Sequence, residues 1–402
     1  MNIERCRVCH SSGLEPIKDL GEYSNQTLLK SDLQCQINSL RLVFCHSCLH
    51  LQLASDEVLT SPCWFYSGET RTMRSFFREL SLKIENRFHL KPKDVVVDIG
   101  SNDGTFLRTF DIPNLIRVGV EKSDELVDEA KTGLDYFIHR PWSARVLEQV
   151  VGKKAKFISA LNVLEQVDDP LPFLRDIEAS LSDDGVCLLQ VTSLTSIVEF
   201  SDIGFFSLDK TNYYSLTSLN FLLKNAQLEI FDVEKVVVGG HALRLYCRKT
   251  NSYVENEHGA SEVEESLKFE KEHLHKRYFD DFFNRLAEER KVIKEFFSKC
   301  SKENRKVWVY GLSDRSAGIF NYLGLQGKEF QGIFDWQEKR QGAKQVQLGL
   351  RVENDEAIKK AHPDYFFLTP YHYINEFYQN ESDARRSGAA FVLPFPKFRI
   401  IS

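Results

Sequence analysis

The sequence predicts an α/β protein: a parallel sheet wrapped by helices, preceded by a small cysteine-bearing unit and followed by a second, smaller α/β unit. Three observations carry this. Between about residues 92 and 250, short apolar runs alternate with amphipathic segments, the pattern of strand–helix–strand units. The alternation resumes at Lys306-Val-Trp-Val-Tyr-Gly311 and runs to the end of the chain. Two Cys-x-x-Cys pairs stand near the start. At 402 residues the chain is too long for a single core, which agrees with two or three domains.

Taken in order, residues 1–60 read as a loop-rich metal-binding unit. Residues 61–250 hold the first sheet, with strands expected at Asp94–Ile99, Arg117–Glu121, Lys156–Leu161, Val186–Val191 and Leu228–Val238. Residues 251–303 form a helical connector. There Leu267, Leu274, Tyr278, Phe282 and Leu286 line one stripe, widened by Phe279, Phe283, Ile293 and Phe297, so one long helix or two must bury that face. Residues 304–402 carry the second sheet, with strands at 306–311, Phe330–Trp336, Asp364–Leu368 and Ala390–Phe395.

Composition narrows the function. Apolar residues make up 42% and charged residues 27%, ordinary for a soluble globular protein. No run reaches the roughly 20 apolar residues of a membrane helix, and the N-terminus has no apolar signal segment, so a cytoplasmic protein is expected. The net charge of −6 and the lack of a basic tract exclude nucleic acid as the expected partner. A small molecule is expected instead, and the oligomeric state is left open, a monomer being one reading. In a reducing compartment the nine cysteines are not disulfides.

Cys6-x-x-Cys9 and Cys45-x-x-Cys48 can close a tetrahedral thiolate shell, each pair on a tight knuckle, and four protein ligands leave no open position, so the metal is read as structural zinc. His10, His46 and His50 lie close enough in sequence to make a mixed shell an alternative. Cys35, Cys63, Cys187, Cys247 and Cys300 read as packing residues.

The string Val95-Val-Val-Asp98-Ile-Gly100-Ser101-Asn102-Asp103-Gly104 is a buried strand ending in a turn that leads to a helix. Its glycines let the backbone approach a ligand closely. Glu121, followed by Lys122, ends the next strand and can accept both ribose hydroxyls of a nucleoside. The turn is not Gly-x-Gly-x-x-Gly, so adenosine without a pyrophosphate is the better fit. Asn162 ends the third strand, where it can contact the ligand or simply cap the strand.

Together, the Ile99-Gly-Ser-Asn-Asp-Gly104 string and the double Cys-x-x-Cys resemble the sugar C-methyltransferase family. Further matching pieces are Asn162-Val163, Asp184-Gly185-Val186, Leu243-Arg244, Tyr310-Gly311, Asn321-Tyr-Leu-Gly324 and Val392-Leu-Pro-Phe-Pro396, in order across nearly the whole chain. The resemblance implies a zinc-binding domain, a class I (Rossmann-like) methyltransferase domain that binds S-adenosylmethionine, and a C-terminal Rossmann-like domain. It implies methylation of a ring carbon, usually C3, of a 4-keto-deoxysugar on a nucleoside diphosphate, by way of an enolate.

This chain departs from the family at the expected base. The family's Tyr-His-Glu-His block aligns with Ser207-Leu208-Asp209-Lys210, ahead of Tyr213-Tyr214-Ser215. Three solutions stand open: Lys210 as a base with a lowered pKa, His241 in the base's place, or a different acceptor methylated at oxygen, nitrogen or another carbon. A scaffold that binds the cofactor without turnover is the non-enzymatic alternative. Asp209, Tyr66 and Tyr213 join the catalytic candidates. Tyr214 is placed in the sugar pocket, Tyr310 among the substrate-binding residues, Arg244 and Arg315 on the diphosphate, and the loops after Tyr310 and Asp335 at the crevice between domains.

Overall fold

The computed structural model describes residues 3–24, 26–29, 35–55, 64–236, 241–253, 260–381 and 388–402. Cys63, the Gly239-Gly240 pair and the last two positions of the strand expected at Leu228–Val238 lie outside the described residues.

The middle of the chain folds into a seven-stranded sheet. Its spatial order is Leu228–Val236, Ala242–Lys249, Leu181–Thr192, Ala155–Leu161, Val95–Ile99, Ile116–Val120 and Tyr136–Ile138. The last five of these are mutually parallel, and Ala242–Lys249 runs antiparallel to both its neighbours. Val95-Val-Val-Asp-Ile is buried along its whole length, as a strand covered by helices on both faces must be. The chain moves outward from Val95–Ile99 in one direction, then returns to build Ala155–Leu161 on its other side. The strand order therefore reverses there, and the crevice opens at the carboxyl ends of these two strands.

The N-terminal stretch is not loop-rich. Leu14–Ser24 and Ile37–Cys45 pair antiparallel, and His50–Leu53 and then Asn212–Tyr213 extend the sheet. The cause is legible in Leu40, Leu42 and Phe44, buried at every second position between the exposed Ser39 and Arg41 and the half-buried Val43. The connector is two helices, Ala260–His273 and Lys276–Lys302; the second buries Phe279, Phe282, Phe283, Leu286, Ile293 and Phe297. The C-terminal sheet has the order Val352–Glu353, Gly332–Phe334, Val307–Tyr310, Tyr365–Leu368, Ala390–Leu393 and Arg399–Ile401, parallel except for the last strand.

One apolar core runs through the N-terminal sheet, the segment from Leu194 to Tyr213, the long helix and the C-terminal sheet. Strand pairing reinforces the join, since Leu28–Leu29 pairs with Lys344–Gln345. Among the described residues no helix is long and apolar enough to cross a membrane.

Candidate active site and metal centre

The crevice is built on the turn after Val95–Ile99. Gly100 and Gly104 have φ of 69° and 77°, and Asn102 shares that left-handed region at 52°. A Cβ on Gly100 would come within 2.5 Å of Val163 Cγ2, so only glycine fits where the next strand's turn passes. Glu121 closes the far side. Its Oε1 accepts from the backbone N–H of Lys122 and Ser123 and from the Ser123 hydroxyl at 2.8–2.9 Å, and its Oε2 accepts from Asn102 N–H at 3.1 Å. Asp98 lies below the turn, buried and accepting from Ser159 Oγ at 2.7 Å; burial pushes its carboxyl up to about 7. These residues fit an adenosine: a glycine turn with left-handed backbone at Gly100, Asn102 and Gly104, and a carboxylate held by four hydrogen bonds at the end of the second strand.

Asn102 and Asp103 turn outward from the cradle. Their side chains accept from the backbone N–H of Ser67 and Gly68 at 2.9 and 2.7 Å and so dock segment 64–68 over the turn. From the other side Arg340 holds the Trp64 carbonyl and the Asp335 carboxylate, and Lys339 lies 3.9 Å from the centre of the Tyr66 ring. Tyr66 thus stands at the seam between the cofactor turn and the C-terminal domain. Asn162 is exposed at the end of its strand, its N–H donating to the Gln190 carbonyl.

The acceptor side is lined by charge. Lys210 is buried, with Asp314 at 3.3 Å and Asp209 at 4.0 Å. Burial opposes its charge, but the two carboxylates outweigh it and hold the ammonium above its ordinary range. Arg315 is buried and donates to Asp202 at 2.9 Å; Asp202 also accepts from Tyr371 Oη at 3.0 Å. His241 precedes strand Ala242–Lys249, beside the carboxyl end of Leu181–Thr192. Its ring stacks on Phe200 at 3.4 Å and meets His372 edge to face at 6.0 Å. Partial burial moves His241 below its ordinary value against the pull of Asp202 and Glu199.

At the N-terminus the sulfurs of Cys6, Cys9, Cys45 and Cys48 all lie within 4.8 Å of one another. Cys6 and Cys48 approach to 3.5 Å, as do Cys9 and Cys45. Hydrogen bonds from Cys48 and Cys6 hold the Cys45 thiol well below the usual range, while the same contacts push Cys48 up. Four thiolates cannot coexist so close without a cation, and this donor set fits a tetrahedral ion. The histidines point elsewhere: His46 to Glu15, His50 to Asn212.

Two family models match the chain: "Methyltransferase domain" over residues 69–233 and "C-methyltransferase C-terminal domain" over residues 237–396. The C-methyltransferase NovU of Streptomyces niveus is 23% identical over an alignment covering 100% of this chain and 97% of that protein. Along its whole length the chain is similar to a C-methyltransferase. It is an S-adenosylmethionine-dependent methyltransferase with a class I fold. Solved structures similar to part of the chain include the plantazolicin methyltransferase BpumL in complex with SAH, at 14% identity and a TM-score of 0.37 over 46% of this chain and 86% of that one. An S-adenosylmethionine-dependent methyltransferase from Clostridium acetobutylicum has 14% identity and a TM-score of 0.34 over 46% and 94%.

For this methyltransferase several expectations from the sequence need correction. Lys210 does not have a lowered pKa, because Asp209 and Asp314 neutralise the burial that would have lowered it. Tyr213 and Tyr214 are fully buried, their hydroxyls donating to the Ser207 and Leu164 carbonyls, so they are core and not pocket. Tyr310 is buried in an aromatic cluster with its hydroxyl on Glu381 at 2.7 Å. Arg244 is buried between Glu234 and Gln190, and Arg315 is taken up by Asp202 and Asp314; neither fork is presented to a diphosphate.

Asp202, Glu165, Glu69 and His372 were not expected from the sequence. Glu165 is buried after strand Ala155–Leu161, accepts from Thr192 N–H and is pushed by burial up to about 7. Glu69, in the segment over the turn, is likewise pushed up to about 7. A signal existed for His372: it follows a parallel strand's carboxyl end, where ligand sites gather.

Proposed function

We propose that this enzyme methylates C3 of a 4-keto-6-deoxy sugar carried on a nucleoside diphosphate, in the making of a branched-chain deoxysugar. The observation that carries this reading is His241. It is a half-buried imidazole at the carboxyl edge of the sheet, with a pKa below its ordinary value, so it is neutral and able to accept a proton near pH 7. The ketone acidifies the neighbouring C3–H. His241 takes that proton and the C–H electron pair becomes the enolate. Gly100–Gly104 and Glu121 would hold S-adenosylmethionine, which would supply the electrophilic methyl to the enolate carbon, with S-adenosylhomocysteine as the leaving group. Tyr66 borders the same space from segment 64–68. We also infer that the four cysteines hold a structural zinc, and that residues 1–60, 61–250, 251–303 and 304–402 are the working domains of a cytoplasmic enzyme.

The test is mass spectrometry of reactions with S-adenosylmethionine and 4-keto-6-deoxyhexoses on thymidine or guanosine diphosphate, run in heavy water. A product heavier by one methyl, with deuterium entering unreacted sugar next to the ketone, is expected. A methyl on oxygen or nitrogen with the ring C–H intact would overturn carbon methylation.

A further inference from the structure

The base proposed above stands on the methyltransferase sheet, but a second histidine faces it from the other half of the molecule. His372 lies in the one-turn helix Tyr371–Tyr373, and its ring meets that of His241 at 6.0 Å and 72°. On its other side, His372 Nε2 is buried, has no hydrogen-bond partner among the described residues, and lies 3.8 Å from Asp202 Oδ2. Asp202 is itself fixed by Arg315 Nε and Tyr371 Oη. A buried ring nitrogen left without a partner beside a carboxylate costs desolvation free energy that an apolar residue of this size would avoid. Packing therefore gives no reason for a histidine here, whereas its place between a carboxylate and a candidate base does.

We propose that His372 is a positioning residue: it links the Asp202 carboxylate to His241, so that the C-terminal domain completes the base of the methyltransferase domain. The proposal rests on the carbon-methylation reading. When His241 takes the C3 proton, an N–H bond forms as the C–H bond breaks, and the new imidazolium must be oriented and its charge offset. Asp202 and Glu199 offset it. His372 stays neutral, because burial and the Arg315 charge push it down to about 4 against the pull of Asp202 and Asp314. With its proton on Nε2, the nitrogen 3.8 Å from Asp202, its other nitrogen is an acceptor, and the nearby carboxylate charge favours that tautomer. The proton leaves His241 for solvent after transfer.

The experiment uses the full-length enzyme with S-adenosylhomocysteine and a 4-keto-6-deoxyhexose on thymidine diphosphate in heavy water, following deuterium entry at C3. Companion measurements are the pH profile of kcat/KM, cofactor affinity and Tm. His372→Phe is expected to slow exchange and turnover roughly 10- to 100-fold, at or below the low end of what a positioned base itself contributes. The acid limb of the profile should move while cofactor affinity and Tm hold, and His372→Gln, which restores a polar group toward Asp202, should recover part of the rate. Exchange within twofold of wild type with an unmoved profile would overturn the role of His372 and leave the parent reading standing. So would losses of cofactor affinity and Tm in step with turnover, which would make the residue structural. No exchange by the wild type on this sugar or on its guanosine diphosphate counterpart would instead remove the carbon-methylation reading, and this proposal with it.

Discussion

Asp98 shows how one side chain ties the cofactor turn to stability. It occupies the fourth place of a strand buried on both faces, and a single serine hydroxyl does not replace the water it loses. Its carboxyl is pushed up to about 7, against 3.8 ordinarily, and Glu165 and Glu69 are raised to about 7 as well. Between about pH 4 and 7 the unfolded chain has released these protons and the folded chain has not, so folding is favoured by acid and loses stability as pH rises through that window. Raising a carboxyl's pKa by one corresponds to about 1.4 kcal/mol, so Asp98 alone accounts for a few kcal/mol. The cofactor-free enzyme is therefore expected to show a urea midpoint that falls from pH 5 to pH 8, and Asp98→Asn to flatten the fall. Identical slopes for the two proteins would show that Asp98 is ionised throughout.

At the scale of elements, the turn Gly100–Gly104 is the piece whose geometry is least replaceable. Gly100→Ala meets two separate obstacles: φ of 69°, and a Cβ 2.5 Å from Val163 Cγ2. Cofactor affinity measured by calorimetry is expected to fall at least tenfold, about 1.4 kcal/mol. Adding Val163→Ala should return only part of it, because the backbone obstacle remains; full recovery would mean that the steric contact was the whole cost. This turn was legible in the sequence because strand, turn and helix are contiguous there. So was the connector, whose phenylalanines repeat with the helical period and are buried accordingly. The strand Ala242–Lys249 was not, because its apolar run follows a glycine pair and carries Arg244 and Arg248, which find acidic partners inside the sheet. The tyrosines at 213, 214 and 310 were misplaced for a related reason. An aromatic at a strand end looks the same in sequence whether its hydroxyl meets a substrate or a buried carbonyl, and only the fold decides. The acceptor-side cluster was the least legible part, since Asp202 meets Arg315 across 113 positions of chain.

At the scale of the whole molecule the parts do not stand alone. Gly204 and Gly318 pack so closely that a Cβ on either would clash, which seats the helix Ser316–Leu323 directly on the methyltransferase segment that carries Asp202. The strand Asn212–Tyr213 completes the N-terminal sheet, whose apolar face belongs to the same core as the C-terminal sheet. The four cysteines lie at the end of that sheet where Ile37–Cys45 turns into His50–Leu53, with Cys6, Cys45 and Cys48 packed against the methyltransferase core. A metal held in this position would do more than tie a small domain. Removing it leaves four thiols within 4.8 Å in a mostly buried site, and the strands Ile37–Cys45 and His50–Leu53 lose the knuckle that joins them. Because those strands share their core with the rest, the damage has no boundary at which to stop. Calorimetry of chelator-treated enzyme, or of Cys45→Ser, is therefore expected to show one transition for the whole chain, moved down in temperature, with metal content near one ion per chain before treatment and none after. A separate low-temperature transition beside an unmoved main one would show that the cysteine unit melts independently and that the shared core does not couple it to the catalytic domains.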